Sequence, residues 1–238
     1  FILIILAISA IIVSGICNIK KINISINIEN PKIQVNEIES LSGLTIGQNM
    51  FKKSKKQIID NIKKNTYVED VKISRRLNGT ISININQREV KYIINYAESY
   101  IYIDGQGYIL ELSSEPQNVP AILGVTTDLS NITSDTEEKT IRLNDVDLKK
   151  LSTVNSIMEN AKTNDIDGII TRIDMANDKD YIVYLDSENK IVYLGNCSDL
   201  NTRILYVKSI VREEAGRKGE IFVNGNLNSS YVYFKEGV

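Results

Sequence analysis

Isoleucines that alternate with polar residues form the clearest pattern in the chain. The alternation runs through residues 22–28 up to Pro31, and it recurs at residues 71–73 and 81–85. Because successive side chains of a strand point to opposite faces, a period of two predicts three half-buried strands here.

Residues 77–79 are Leu, Asn and Gly, and they predict a hairpin between the last two of these strands. A two-residue turn would place Ile73 and Ile83 on opposite faces of the sheet. A three-residue loop with a left-handed glycine sets Ile73 beside Ile83 and Val71 beside Ile85. We therefore predict the three-residue loop.

Two short helices are predicted between the first and second strands. Apolar residues recur there at helical spacing: Val35, Ile38 and Leu41, and then Ile58, Ile59 and Ile62. Asn36 is the predicted cap of the first helix, and Gly43 is its predicted end. Ser54 and Gln57 have the spacing of a capping box that opens the second helix, which should end near Asn65.

Residues 92–238 combine strand and helix patterns, which predicts a larger sheet with helices packed on it. The predicted strands are 100–103, 109–110, 169–175, 181–186, 190–195, 220–223 and 230–235. A helix is predicted from Asn144, with Asp145 and Asp147 in its first turn, where acidic residues interact favourably with the helix dipole. Its inward stripe is Leu148, Leu151, Val154, Ile157 and Ala161. A second helix begins near Asp199 and ends at Gly216, with an inward stripe of Leu200, Ile204, Val207 and Val211.

Residues 1–19 contain no charged side chain and, at about 1.5 Å per residue, are just long enough to cross a bilayer core of about 30 Å. They predict a membrane-spanning helix, with a cleaved secretory leader as the alternative. No Met or basic flank precedes Phe1, so we expect a cytoplasmic segment before the span. Lys20 and Lys21 alone do not determine which side of the membrane the chain lies on. Cys17 is expected to be a buried or lipid-facing thiol.

Charge is balanced overall but unevenly distributed along the 238 residues. The net charge of −2 gives no reason to expect a nucleic-acid partner. Residues 20–91 hold 14 Lys/Arg against 7 Asp/Glu, whereas residues 92–238 hold 14 against 23, which indicates two chemically different domains. Cys17 and Cys197 are far apart, and we predict that both are unpaired.

The sequence offers little catalytic chemistry. It has no histidine, which removes His-based nucleophile pairs and imidazole metal sites. The one cluster dense enough to suggest calcium lacks the glycine and distant glutamate of a helix-loop-helix site, and we interpret it as a solvated hairpin loop: Asp174, Asn177, Asp178 and Asp180. Gly105-x-Gly107 lacks the rest of a phosphate loop and predicts a turn. We predict no catalytic residue, no metal ligand and no cofactor.

The order strand, helix, helix, strand, strand after an apolar segment resembles a POTRA domain. More closely, residues 67–89 resemble the FtsQ/DivIB cell-division family, on these matching positions: Val68, Arg75, Arg76, Thr80 and Glu89. The sequence departs at Asn78 and Val90, where the family often has proline. Residues 100–110, 119–124 and 193–210 resemble later motifs of the same family.

The resemblance implies an α+β fold in three parts. These are a single N-terminal transmembrane helix at residues 1–19, a small POTRA domain of β-α-α-β-β order at residues 20–91, and a larger mixed β-sheet domain with packed helices at residues 92–238. It also implies a bitopic protein of the bacterial cytoplasmic membrane, with most of the chain extracytoplasmic and located at the division septum.

The function implied by the resemblance is that of a non-enzymatic divisome scaffold that supports septum formation. Its expected partners are bitopic division proteins of the FtsL and FtsB/DivIC types and the septal peptidoglycan synthase complex, with no nucleic acid and no small-molecule substrate. Two alternatives stay open: a POTRA-type polypeptide-binding chaperone, and a membrane-anchored cell-wall hydrolase with a carboxylate pair or a Ser-Lys dyad.

Two surfaces are candidate binding sites. The last strand resembles the family's final strand, whose sheet edge can pair with an incoming peptide, and its residues are Tyr231, Val232, Tyr233, Phe234 and Lys235. We expect Val232 and Phe234 to face the core, so that Tyr231, Tyr233 and Lys235 tune specificity. A basic patch could contact the membrane or a partner, although a solvated helix face is the simpler interpretation: Lys52, Lys53, Lys55, Lys56, Lys63 and Lys64.

Overall fold

The computed structural model describes residue 15 and residues 17–132, 141–225 and 232–237, which divide into two compact units. The first unit ends at Glu89 and the second begins at Val90. Most of the predicted span, residues 1–14 and 16, lies outside the described residues. Within the part that is described, no helix is both long enough and apolar enough to cross a membrane.

The first unit has the predicted β-α-α-β-β order. Its elements are β1 (Lys21–Ile26), α1 (Val35–Ser42), α2 (Lys55–Ile62), β2 (Val68–Arg76) and β3 (Thr80–Gln87). The three strands form a sheet in the order β1-β3-β2, in which β1 is parallel to β3 and β2 is antiparallel to it. Helix α1 packs against β1 and α2 against β2, so the helices cover the sheet.

The predicted hairpin register is confirmed. Ile73 pairs with Ile83 and Val71 with Ile85, and the strands close at Arg76 and Thr80 around a three-residue loop. Gly79 has φ +88°, the left-handed conformation that the loop requires.

The predicted start of α2 is confirmed, whereas the predicted cap of α1 is not. Ser54 and Gln57 form both hydrogen bonds of the capping box at the start of α2. The predicted cap Asn36 is wrong, because α1 begins at Val35 and its N-cap is Gln34, whose side chain makes no capping hydrogen bond. Val35 is 52% exposed, so it does not belong to the buried stripe with Ile38.

Residues 17–19, which sequence assigned to the end of the span, pack within the first unit. Cys17 and Ile19 are buried, and Asn18 forms an antiparallel bridge with Asn49. Their backbone is paired on both sides, since Ile19 N donates to Gln48 O at 2.9 Å and Lys20 N donates to Gly79 O at 2.8 Å. The folded part of this unit therefore begins ahead of Lys20.

The second unit is built on one nine-stranded sheet in the order β12-β11-β10-β9-β8-β7-β4-β5-β6. Its strands are β4 (Tyr92–Tyr96), β5 (Ser99–Ile103), β6 (Ile109–Ser113), β7 (Ala121–Leu123), β8 (Arg172–Asp174), β9 (Tyr181–Leu185), β10 (Lys190–Gly195), β11 (Gly219–Phe222) and β12 (Tyr233–Glu236). Its helices are α3 (Asp145–Thr163) and α4 (Leu200–Glu213). The inward side chains of strands and helices form one core.

Some of the predicted strands and one of the predicted hairpins have different bounds in the structure. The predicted strand 169–175 is reduced to β8, because Asp167–Ile169 form a 3-10 turn ahead of it. The hairpin from β9 to β10 passes through a second 3-10 turn and Asn189, which is left-handed at φ 53°. Of the predicted strand 230–235, residues 230 and 231 lie outside the described residues.

The predicted glycine-rich turn between β5 and β6 is confirmed. The Asp104 carboxylate is buried and accepts hydrogen bonds from the backbone N–H groups of Gln106 and Tyr108. Gly107 has φ +79°, which suits glycine.

Candidate functional site: the edge strand of the second unit

Strand β12 is the outermost strand at one edge of the nine-stranded sheet. It pairs antiparallel with β11, and among the described residues no strand pairs with its outer side. The opposite edge is β6, whose start is covered because Ile109 N donates to Ile141 O and Tyr108 bridges to Arg142. As far as the described residues show, β12 is therefore the more open of the two edge strands to strand addition.

The hydrogen-bond pattern decides which backbone groups of β12 face outward. Gly237 N donates to Lys218 O at 2.9 Å, just beyond the last pair of the ladder. Antiparallel ladders alternate between bonded and non-bonded pairs, so Lys235 and Tyr233 also bond to β11. The N–H and C=O groups of Phe234 and Glu236 therefore point away from β11, toward the open edge.

The side chains of the edge strand divide between the two faces of the sheet. Tyr233 is 49% exposed on the outer face, whereas Val232 and Phe234 are half-buried and pack against the core. Lys235 is exposed and pairs with Glu220 at 3.1 Å. Tyr231, which sequence placed in the same candidate site, lies outside the described residues.

Three aromatic rings stack across the last three strands on the outer face. Tyr193 of β10 lies 4.7 Å from Phe222 of β11, and Phe222 lies 4.8 Å from Tyr233 of β12, measured between ring centroids. The ring planes are within 14° of parallel. Sequence reasoning missed Tyr193 and Phe222, although both lie at outward positions of strands it did predict.

Ion pairs hold the edge strand on both of its faces. The pair of Lys235 and Glu220 lies on the face of the stack, whereas the pair of Arg217 and Glu236 lies on the face of Phe234. Arg217 donates to both carboxylate oxygens of Glu236, which lowers the pKa of that carboxyl. Lys235 and then Tyr193 hydrogen-bond to Glu220 and lower its pKa as well. Ion pairs as well as backbone hydrogen bonds thus hold the edge strand to the sheet.

A groove of about 450 Å³ opens beside the edge, where β9 ends and β10 and β11 begin. Its lining mixes charged and apolar side chains, among them Arg172, Tyr184, Ile191, Glu220, Lys235 and Glu236. The Arg172 guanidinium lies 4.2 Å from the centroid of the Tyr184 ring and pairs with Asp186 at 2.7 Å. A peptide added to β12 could place side chains in this groove.

The six lysines of the predicted basic patch do not form one surface. Lys52, Lys53, Lys55 and Lys56 lie before α2 and in its first turn, whereas Lys63 and Lys64 follow its last residue. An eight-residue helix separates the two groups by about 12 Å. Lys63 is half-buried and lies 3.7 Å from Asp70.

Within the ranges that the structure describes, no group of three or more Cys, Asp or Glu side chains is arranged to hold a metal ion. The two described thiols, Cys17 and Cys197, are free, as predicted. Burial raises the pKa of Cys197 to about 12, so this thiol stays protonated at neutral pH.

Comparison with known proteins agrees with this architecture. Residues 17–88 match the family described as "POTRA domain, FtsQ-type". Cell division protein DivIB of Clostridium botulinum is 28% identical over 226 residues, covering 92% of this chain and 82% of the relative. DivIB of Clostridium acetobutylicum is 27% identical over 219 residues, covering 90% of this chain and 82% of the relative. Cell division protein FtsQ of Rickettsia felis is 33% identical over 86 residues, covering 36% of this chain and 32% of the relative.

The fold and these matches define a protein in which a POTRA domain precedes a mixed sheet with an open terminal strand. The match to DivIB extends through both units. The matched domain is of the FtsQ type, and over most of its length the chain is similar to the DivIB proteins of the FtsQ/DivIB family.

Proposed function

We propose that the chain is a non-enzymatic scaffold of the bacterial cell-division machinery that binds its partners by strand addition at β12. The names of its relatives support the role in cell division. The proposed partners are FtsL-type and FtsB/DivIC-type bitopic proteins, and through them the septal peptidoglycan synthase complex. The proposed location is the cytoplasmic membrane at the septum, with both units outside. Residues 17–19 pack within the first unit, so the proposed anchor lies in residues 1–16.

The observation that carries the proposal is the outward direction of the backbone groups of Phe234 and Glu236. An unpaired N–H and C=O on an edge strand can complete a ladder with an extended peptide, and these bonds depend little on the peptide's sequence. Specificity then requires side chains. The exposed ring of Tyr233 and its stack on Phe222 supply a rigid apolar surface beside the edge.

The experiment is a titration of the full chain, reconstituted in nanodiscs, with paired FtsL and DivIC ectodomains. The informative variant is Glu236→Pro, which removes an outward N–H without removing a ladder hydrogen bond. Glu236→Ala is its matched control, since it loses the same carboxylate but keeps the N–H. We expect E236P to bind the ectodomains at least about tenfold more weakly than E236A, because it loses one hydrogen bond to the peptide and its ring hinders the approach to the edge.

Equal affinity of E236P and E236A, with equal thermal unfolding, would move the partner site away from β12. Tyr233→Pro is a poorer test, because the N–H of Tyr233 faces β11 and its loss weakens the sheet itself. Zymography provides a separate check of the non-enzymatic part of the proposal. Cleavage of cell wall by the purified chain would contradict it.

A further inference from the structure

One end of the first unit is formed by three neighbouring segments, residues 17–21, 44–56 and 74–80, which we call the lysine-rich end. Residues 17–19 run between the other two segments. On one side Gly47 N donates to Ile19 O and Met50 N donates to Cys17 O, at 2.8 and 2.9 Å. On the other side Lys20 and Lys21 both donate to Gly79 O.

Exposed apolar side chains gather at this end. Ile46 is 60% exposed, Phe51 is 56% exposed and Leu77 is 79% exposed. Among the described residues of the first unit, the other large apolar side chain exposed to this degree is Val35, at the start of α1. Val35 follows the far end of β1, a strand about 20 Å long, so it lies away from the other three.

The charges at this end have one sign. The three segments contain no Asp or Glu and eight basic residues, namely Lys20, Lys21, Lys52, Lys53, Lys55, Lys56, Arg75 and Arg76. Lys55 and Lys56 occupy the first turn of α2, where the helix dipole favours acidic residues, so their position opposes local helix stability. The guanidinium of Arg75 lies 5.6 Å from the Phe51 ring centroid and donates to Lys53 O, which keeps charge and apolar surface together.

We propose that the lysine-rich end lies on an anionic lipid bilayer, with Ile46, Phe51 and Leu77 in the interface and the basic residues among the headgroups. Exposed Phe and Leu side chains next to Lys and Arg are typical of surfaces that bind the membrane interface. A basic residue near an anionic leaflet strengthens binding about fivefold. Residues 1–16 carry no charge, and they precede this end without a linker, because Cys17 and Ile19 are already packed in the unit. The proposal does not depend on the β12 edge.

The chain contains no tryptophan, so the fluorescence of a single introduced tryptophan can be measured without a signal from other tryptophans. We would reconstitute full-length Phe51→Trp in nanodiscs that contain phosphatidylglycerol and brominated lipid. Val35→Trp is the matched control, because its position has similar exposure in the same unit. If the proposal holds, the F51W indole lies in the membrane interface, so we expect its emission to be blue-shifted and quenched at least about twofold. We expect neither effect for V35W. Equal quenching of the two variants, or none in F51W, would overturn the proposal.

A variant with fewer lysines tests whether electrostatic attraction to anionic lipid holds the lysine-rich end on the bilayer. Lys52, Lys55 and Lys56 are exposed, so the triple change to Gln should leave the fold intact. In the F51W background it should reduce quenching to the level in purely zwitterionic nanodiscs, whereas K63Q/K64Q at the other end of α2 should leave it unchanged. Unchanged quenching in the triple variant would refute the electrostatic part. An F51W indole that becomes protected only after division-protein ectodomains are added would assign the surface to a protein and would also overturn the proposal.

Discussion

Tyr233 of the edge strand lies face to face with Phe222 of the neighbouring strand, with ring centroids 4.8 Å apart and planes 14° from parallel. The two residues are direct partners in the β11–β12 ladder. Cross-strand aromatic pairs are among the contacts that stabilise a sheet most. A strand of four residues thus stays in register at the edge because its ring continues a stack that starts on β10.

Tyr233→Ala should therefore loosen β12 without unfolding the unit. Loss of the stacked ring should cost about 1 kcal/mol, which corresponds to about fivefold faster exchange of the Lys235 amide hydrogen. Tyr233→Phe keeps the ring and should exchange as the unchanged chain does. Hydrogen exchange measured by mass spectrometry would show whether the two variants differ; identical rates would mean that the stack does not hold the edge.

Asp147 is the buried carboxylate on which the loop before α3 depends. Its side chain is fully buried and accepts from the backbone N–H and the hydroxyl of both Thr126 and Thr127, at 2.6 to 3.1 Å. Asp147→Asn puts an amide N–H against these donors, so we expect a loss of about 3–5 kcal/mol in the free energy of unfolding.

The control for this change is Asp145→Asn in the same helical turn, where the carboxylate is exposed and faces the helix dipole alone. We expect it to cost about 0.3–1 kcal/mol. Urea unfolding of both variants provides the comparison. Similar losses in the two would show that the bonds to Thr126 and Thr127 contribute little.

Gly79 and Gly47 form a matched pair, since both have strongly positive φ, at +88° and +86°. A Cβ on Gly79 would lie 2.7 Å from the backbone O of Asn18, whereas a Cβ on Gly47 would meet nothing within 4 Å. Gly47→Ala should thus cost only the left-handed strain of about 1–2 kcal/mol. Gly79→Ala should cost about 2 kcal/mol more, because the hairpin must move from residues 18–20. Thermal unfolding that shifts equally in both would argue against the close contact.

The Asp186 carboxyl gives the second unit a pH-dependent contribution to stability. Hydrogen bonds from Arg172 and then from Thr171 lower its pKa below the ordinary range of an aspartate. A depressed pKa means that the contribution is complete above about pH 4, the unfolded value, and is lost as the pH falls through the native pKa. Both side chains are partly exposed, so the contribution should stay under about 1 kcal/mol.

Asp186→Asn should accordingly lower the unfolding midpoint in urea at pH 7, and the difference from the unchanged chain should shrink toward zero near pH 2. A difference that is constant over this range would show that the ion pair is not its source.

The local parts of the fold could be predicted from sequence because their causes are local. The pairing of Ile73 with Ile83 follows from a period of two and a single glycine. The Ser54 capping box follows from a fixed spacing of polar residues. The start of α3 after Asn144 follows from a helical stripe of apolar residues. Asn36 failed as a cap because α1 already begins at Val35, and its N-cap Gln34 makes no side-chain capping hydrogen bond that a spacing of residues could indicate.

The relationships that build the site are non-local, and for this reason sequence did not reveal them. Tyr193 and Phe222 become neighbours only because β10 and β11 pair in parallel across α4. From the sequence, Asp147 is an acidic residue in the first turn of a helix, where it interacts favourably with the helix dipole. Its burial depends on a loop 20 residues earlier, which the sequence pattern does not reveal. The basic patch looked continuous because lysines are close in sequence, but α2 separates its two halves.

The shortness of β12 limits how tightly the edge alone can hold a partner. Phe234 and Glu236 offer four outward backbone groups, and at about 1 kcal/mol for each net hydrogen bond these give a Kd no tighter than about 1 mM, because association itself costs free energy. A durable complex then needs a second source of affinity, such as the aromatic outer face or a tether that raises the effective concentration of the partner. Assembly at this edge is expected to be reversible unless several weak contacts form together.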